Sequence, residues 1–177
     1  MQSEGGFTPG QRVQIERPDI SLSMVKSIAD SDYVKDYTYS LGAQAKASGF
    51  TPIESETPGF GGGRMMDGGT TEAQLEGDIT ISGINSYAFI PAVQNDTMKL
   101  TSGKYFDEST DDQAIISYDL ATSNSLEVGD TIKLQNVYDS KSKEVKIIGI
   151  YDLTEEQQGF GTPENTIYMN TATAAQF

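Results

Sequence analysis

LTSGKYFDESTDDQAIISYDLATSNSLEVGDTIKLQNVYDSKSKEVKIIGIY, residues Leu100 to Tyr151, packs turn chemistry and strand periodicity into one run. After the Ser102-Gly103 turn come the apolar pair Tyr105 and Phe106, an acidic loop, and Ala114–Ser117, a short apolar run of strand type. Leu120 and Ala121 fit one or two helical turns, which Asn124, tolerant of the left-handed conformation, would stop. Gly129-Asp130 then supplies a turn before a strand in which Ile132, Leu134 and Val137 lean inward while Lys133 and Gln135 face water. Asp139–Lys143 reads as a polar hairpin loop leading to a second apolar strand, Val145–Tyr151.

Outward from this run the periodicity alternates between helix and strand. Gln11–Glu16, with Val13 and Ile15 against polar neighbours, reads as a first strand. From Leu22 to Asp30, the spacing of Leu22, Val25, Ile28 and Ala29 predicts a helix with one apolar face, capped by Ser21 or Ser23. Tyr37, Tyr39, Leu41 and Ala43 alternate within a strand expected over 33–47. Ile79, Ile81 and Ile84 predict a returning strand over 75–84. A helix around Tyr87–Val93 must be short or kinked because it contains Pro91. Residues 48–76 change character: GFTPIESETPGFGGGRMMDGGTTEAQLE carries most of the glycine clusters and reads as a long flexible loop.

The chemistry that this chain can support is bounded by composition. With 177 residues and 36% hydrophobic content it can bury a core, so one globular domain with two lobes fits. Its net charge of −14 with no His argues against phosphate neutralisation, and no nucleic-acid partner is expected. Such acidity suits a cationic peptide or Ca²⁺ as a partner, although a solvated surface is the plainer reading. Without Cys there is no disulfide framework and no thiolate nucleophile. Structural zinc loses its usual ligands as well. No stretch of about eighteen apolar residues and no signal-peptide core is present.

Candidate sites are correspondingly few. Asp107, Glu108, Asp111 and Asp112 form the densest carboxylate group, yet they lack the D-x-[DN]-x-[DN]-G frame of a calcium loop and the burial that would split the pKa values of a catalytic pair. A solvated acidic loop able to touch a partner or cargo is the expectation. GFGGGRMMDGG lacks the GK[ST] ending and the strand-to-helix context of a nucleotide loop. Met65 and Met66 within it offer an adaptable apolar contact. Ser23-Met24-Val25-Lys26 matches a Ser-x-x-Lys string, but Ser23 reads as a helix cap. Tyr33, Tyr37 and Tyr39 read as core and strand-face residues, with a carbohydrate-stacking platform as the alternative. No catalytic residue, metal or cofactor is expected.

The run from Leu100 to Tyr151 resembles the extracytoplasmic core domain of the MacB/FtsX-like family of ABC transporter permeases. The matching residues are Gly103, Lys104 and Phe106, then Ile115–Ser117, Leu120 and Ala121, Val128–Ile132, and Val145–Ile150. Ile20–Val34 is similar to the family's first helix. The segment around Ile79, Ile81 and Ile84 with the following SYAFIPAV, and NTIYMNTATAAQF at the end, are similar to its later elements, so most of the chain is covered.

The resemblance implies an α+β fold of two lobes. One is a porter-like helix-on-sheet subdomain over 11–96 and 161–177; the other is an inserted, mainly β, sabre-like subdomain over 97–160. A further β-α-β segment would normally complete the porter lobe beyond Phe177. The implied function is non-catalytic: an extracellular permease domain, excised from between the first and second membrane spans, that couples ATP-driven movement of the spans to export or to an extracellular partner. ATP hydrolysis would belong to a cytoplasmic ATPase subunit. A membrane-fusion-type adaptor and cationic antimicrobial peptides are the implied partner and cargo, and the isolated domain would be monomeric. The expected location is the cell membrane of a Gram-positive bacterium, with the domain on the extracellular face. A free-standing secreted module that binds carbohydrate or cell-wall material is the alternative.

Overall fold

The computed structural model describes residues 22–29, 33–54, 77–109, 111–154 and 163–177. Two units are distinguished, Met1–Tyr37 and Thr38–Phe177. The first contains α1, Leu22–Ala29, at the expected place. Its apolar face is only partly covered: Val25 and Ala29 are half-buried, whereas Ile28 is 67% exposed. The described residues of this unit supply too little apolar surface to cover it. Tyr33, expected as a core or strand-face residue, is 98% exposed and lies before the first described strand. The strand expected over Gln11–Glu16 and the cap at Ser21 lie outside the described residues.

In the second unit the strands are β1 (Ser40–Ser48), β2 (Ile79–Ile84), β3 (Met98–Gly103), β4 (Gln113–Ser117), β5 (Thr131–Asn136), β6 (Ser142–Leu153) and β7 (Thr166–Met169). They form one mixed sheet in the order β3-β6-β4-β7-β2-β1-β5, and β5 also pairs with β6. Following the hydrogen bonds from β6 through β4, β7, β2, β1 and β5 therefore leads back to β6. The closure depends on the length of β6, whose first half pairs with β5 (Ser142↔Gln135 to Lys146↔Thr131) and whose second half pairs with β3 (Gly149↔Gly103 to Leu153↔Met98). Its other edge pairs in parallel with β4, from Lys146↔Gln113 to Tyr151↔Ser117.

This mixed sheet with short helices is an α+β fold, as expected. The ladder crosses the boundary expected between lobes at 96 and 97: β1 pairs with β5 from Ala45↔Asn136 to Ser48↔Lys133, and β7 pairs with β4 at Met169↔Ala114 and Tyr168↔Ile115.

Two apolar clusters fill the unit. Ala114 and Ile116 of β4 join Ile79, Ile81, Leu134, Val145, Ile147 and Ile167 in one. Ile115 turns to the other, with Ile90, Met98, Phe106, Ile148 and Tyr151. Strand β4 is thus buried on both faces, which accounts for its unbroken apolar run and its parallel pairing. Each fully buried Ile or Leu contributes about 1.5–3 kcal/mol.

The short helices follow from local chemistry. Helix α2 (Pro91–Gln94) starts with its proline at the first helical positions, where a missing N–H costs nothing. The helix expected over Tyr87–Val93 is split into a 3-10 turn at Tyr87–Phe89 and α2, because Ile90, before the proline, is extended at φ −64° and ψ 120°. Helix α3 (Tyr118–Asn124) is capped by Ser117, whose Oγ accepts the Leu120 N–H at 3.1 Å and donates to the Glu164 carbonyl at 2.6 Å. Ser125 (φ 53°), rather than Asn124, takes the left-handed position that ends it. Asn170 caps α4 (Thr171–Ala174) by accepting the Thr173 N–H at 2.7 Å.

At the bulged crossing of β3 and β6, Gly103 (φ 80°) faces Gly149, and a Cβ on Gly103 would lie 2.1 Å from the Ile148 carbonyl oxygen. The obstruction is backbone and cannot rotate away. Gly103→Ala is therefore expected to destabilise the domain by at least about 2 kcal/mol in urea unfolding.

Tyr151 is wholly buried and its hydroxyl donates to the Thr166 carbonyl at 2.7 Å. Burial foremost, and then the neighbouring Tyr168, pushes its ionisation well above the ordinary tyrosine value. An unfolded tyrosine ionises near pH 10, so the unfolded chain loses this proton first and stability falls as pH rises through that value. Tyr151→Phe is expected to cost about 1 kcal/mol at neutral pH. It should also make the alkaline loss of stability shallower in denaturation curves collected on either side of about pH 10.

Candidate functional site

The four carboxylates singled out in the sequence all lie exposed between β3 and β4, but they do not converge. Phe106, 1% exposed, anchors the start of the loop in the core. Asp107 closes on its own turn, where its Oδ1 accepts from both the backbone N–H and the hydroxyl of Ser109. Asp112, in a left-handed conformation at φ 56°, is fixed from three sides. Its N–H donates to Thr173 Oγ1 at 3.0 Å, its carbonyl accepts the Lys146 N–H at 2.8 Å, and its carboxylate pairs with Lys143 Nζ at 2.6 Å. Among the described residues no group of three or more acidic, His or Cys side chains is placed to hold a metal ion. Glu108 and Asp111 complete an acidic surface in which the Asp112 carboxylate is partly compensated by Lys143. Met65 and Met66, with the glycine-rich core around them, lie outside the described residues.

Two clefts of the second unit are lined entirely by described residues. One, of about 270 Å³, is lined by Tyr39, Ser82, Ile84, Phe89, Ile90 and Tyr168 among others. Its Tyr168 ring stands edge-on to Tyr151 at a centroid distance of 5.5 Å, and burial raises the Tyr168 ionisation. Tyr37 is half-buried and Tyr39 lines this cleft, and Tyr87 stacks on Tyr105 at 4.2 Å and 4°. No local signal marks that pair, because eighteen positions separate its members.

The other cleft, of about 320 Å³, lies between the end of β1 and β5, and its walls include Phe50, Leu126 and Ile132. Lys133 and Glu144 pair at its edge across β5 and β6, at 3.6 Å. Beside it runs an arrangement with no signature in the sequence. Asn124 Oδ1 accepts the Thr51 N–H at 2.7 Å while its Nδ2 donates to the Thr51 carbonyl at 2.8 Å. Asn165, 6% exposed, does the same for Ile53 at 2.8 Å in both directions. Two side-chain amides thus stand where a neighbouring strand would be. Pro52, between the two, has no N–H to leave unpaired. Asn85 works similarly at the entry to β1, accepting from Thr38 Oγ1 at 2.9 Å and from the Tyr39 N–H at 3.1 Å.

The mixed, self-returning sheet with α3 and α4 packed on one of its clusters defines an α+β domain. The chain belongs to the MacB-like periplasmic core domain family, whose model matches residues 6–177. It is similar to the uncharacterized ABC transporter permease YclI of Bacillus subtilis (strain 168), 30% identical over 193 aligned positions that take in 98% of this chain. The chain spans 40% of the length of that relative.

Proposed function

We propose that the chain is the extracellular domain of an ABC transporter permease, without catalytic chemistry of its own. In this reading it passes movement of the membrane spans, driven by a cytoplasmic ATPase subunit, to a cargo or to a partner outside the membrane. The observation that carries it is the family match over 6–177 together with a permease relative of which this chain spans 40%. The rest of such a protein has room for the spans; no described helix is long and apolar enough to cross a membrane. The strand ring supports a mechanical role, since a load applied at β5 reaches β1 and β6 directly through backbone hydrogen bonds.

Location is tested with the full-length protein in intact cells. This domain has no Cys, so Tyr138→Cys, at a position 77% exposed, introduces a single thiol into it. A membrane-impermeant maleimide is expected to label that thiol before lysis, on protein recovered in the membrane fraction. Labelling only after lysis refutes an extracellular domain, and recovery from the culture medium favours a secreted binding module.

A cationic peptide is the cargo class that the charge of −14 suits, and the acidic loop is the proposed contact, with Met65 and Met66 as an apolar one. Asp107, Glu108 and Asp111 are the proposed contacts of the loop, while Asp112 faces Lys143. Neutralising those three together (D107N, E108Q, D111N) is expected to weaken binding of a lysine-rich peptide several-fold at low salt. The difference should vanish near 1 M salt, where the screening length is about 3 Å, in a titration followed by fluorescence anisotropy.

A further inference from the structure

Between Gly49 and Glu54 the chain runs as a strap outside the sheet. Thr51 and Ile53 bond as alternate residues on one edge of a strand do, except that their partners are the Asn124 and Asn165 side chains. A carboxamide carries a donor and an acceptor side by side, so one asparagine can pair with both the N–H and the carbonyl of a single residue. Two of them, holding residues two positions apart, read an extended backbone, and they do so without regard to the side chains of the residues they hold. Those side chains are recognised separately. Phe50 and Ile53 are half-buried against the apolar cluster that includes Leu126, and the cleft of about 320 Å³ continues beside Phe50.

We propose that Asn124 and Asn165, with the apolar ground beneath Phe50 and Ile53, form a peptide seat occupied by the chain's own strap, and that a partner's extended segment of the pattern aromatic-Thr-Pro-aliphatic takes the same seat when the strap is released. The occupant seen in the structure defines what the seat accepts. Proline is admitted at the middle position because no donor is needed there, and its fixed φ favours the extended form before binding. Release is local: the described hydrogen bonds of the strap backbone are the four to the two asparagines. Farther along, the chain is held again where the Ala47 N–H donates to Asp78 Oδ1 at 2.7 Å, so a released strap stays tethered. At an effective concentration in the millimolar range it competes with any weak ligand in trans. The seat is therefore closed to partners until the strap is loosened, whatever the larger protein transports.

The test uses the 177-residue chain and a fluorescent peptide with the strap's own sequence, SGFTPIE. Ile53→Pro deletes the donor to Asn165 and leaves both asparagines in place. It is expected to speed hydrogen exchange at the Thr51 amide at least about ten-fold and to bind the peptide at least about ten-fold more tightly than the unaltered chain does. The peptide SGFTPPE, which lacks the same donor, should bind the variant at least about ten-fold more weakly than SGFTPIE. Continued protection of Thr51 in the variant, equal binding of SGFTPIE by variant and unaltered chain, or equal binding of the two peptides overturns the proposal. Should Ile53→Pro fail to fold by circular dichroism, Thr51→Pro deletes the donor to Asn124 instead. The exchange readout then moves to the Ile53 amide, and SGFPPIE replaces SGFTPPE.

Discussion

Everything in the second unit hangs on the two edges of β6. On one edge it satisfies β5 and then β3; on the other it runs beside β4, and Lys146 pairs with Thr131 on one side and Gln113 on the other. The register shifts in the β3 and β4 ladders fall close together along β6, around Ile147–Tyr151. They let a single strand serve three partners whose directions differ. Gly149 sits at that place because a Cβ there would lie 2.6 Å from the Lys104 carbonyl oxygen and 3.0 Å from Ile115 Cγ2. The crossing is thus fixed by steric exclusion as well as by hydrogen bonding. A strand bonded on both edges yields little to bending.

Loops are organised by a second device, the side-chain amide. Asn85, Asn124, Asn165 and Asn170 bond backbone groups of Tyr39, Thr51, Ile53 and Thr173, and Asn136 accepts the Tyr138 N–H at 2.7 Å. A buried N–H or carbonyl left unpaired would cost about 1–3 kcal/mol, so each amide does for a loop what a ladder does for a strand. Several exposed carboxylates, by contrast, are tied within their own turns or to lysines. Asp139 shows this: its bonds to Lys141 lower its ionisation although both side chains are on the surface.

How far the sequence could be read depended on the range of the forces involved. Ala114–Ser117, Thr131–Leu134 and Val145–Tyr151 were legible as strands, and Leu120 and Ala121 as a helix, because apolar periodicity and turn residues are local signals. The family was legible from the same residues, since the spacing of Gly103, Gly129 and Gly149 reflects backbone geometry. Strand β3 was missed. Met98 and Leu100 alternate, but Thr101 sits at a bulge and the strand ends on Gly103, so the period is too short to register. Strand β1 starts later than its alternation suggests: Tyr33 and Tyr37 continue the alternation in the sequence, while pairing with β2 begins only at Ser40↔Ile84. The acidic loop was read correctly as exposed, but the distinct standing of Asp112 depends on Lys143, thirty-one positions away.

The sequence by itself determined that this is an α+β chain with a β-rich second half, that thiol and imidazole chemistry are closed to it, and that its surface is strongly acidic. Those properties are set by residue type and by neighbours within a few positions. Only the tertiary structure decided that β5 closes on both β1 and β6, that β4 is buried on two faces, and that two asparagines forty-one positions apart hold Thr51 and Ile53 as a strand would. Such pairings depend on which segments meet in space. An asparagine carries the same donor and acceptor wherever it stands, and what it holds is settled only when the backbone it meets has been brought to it.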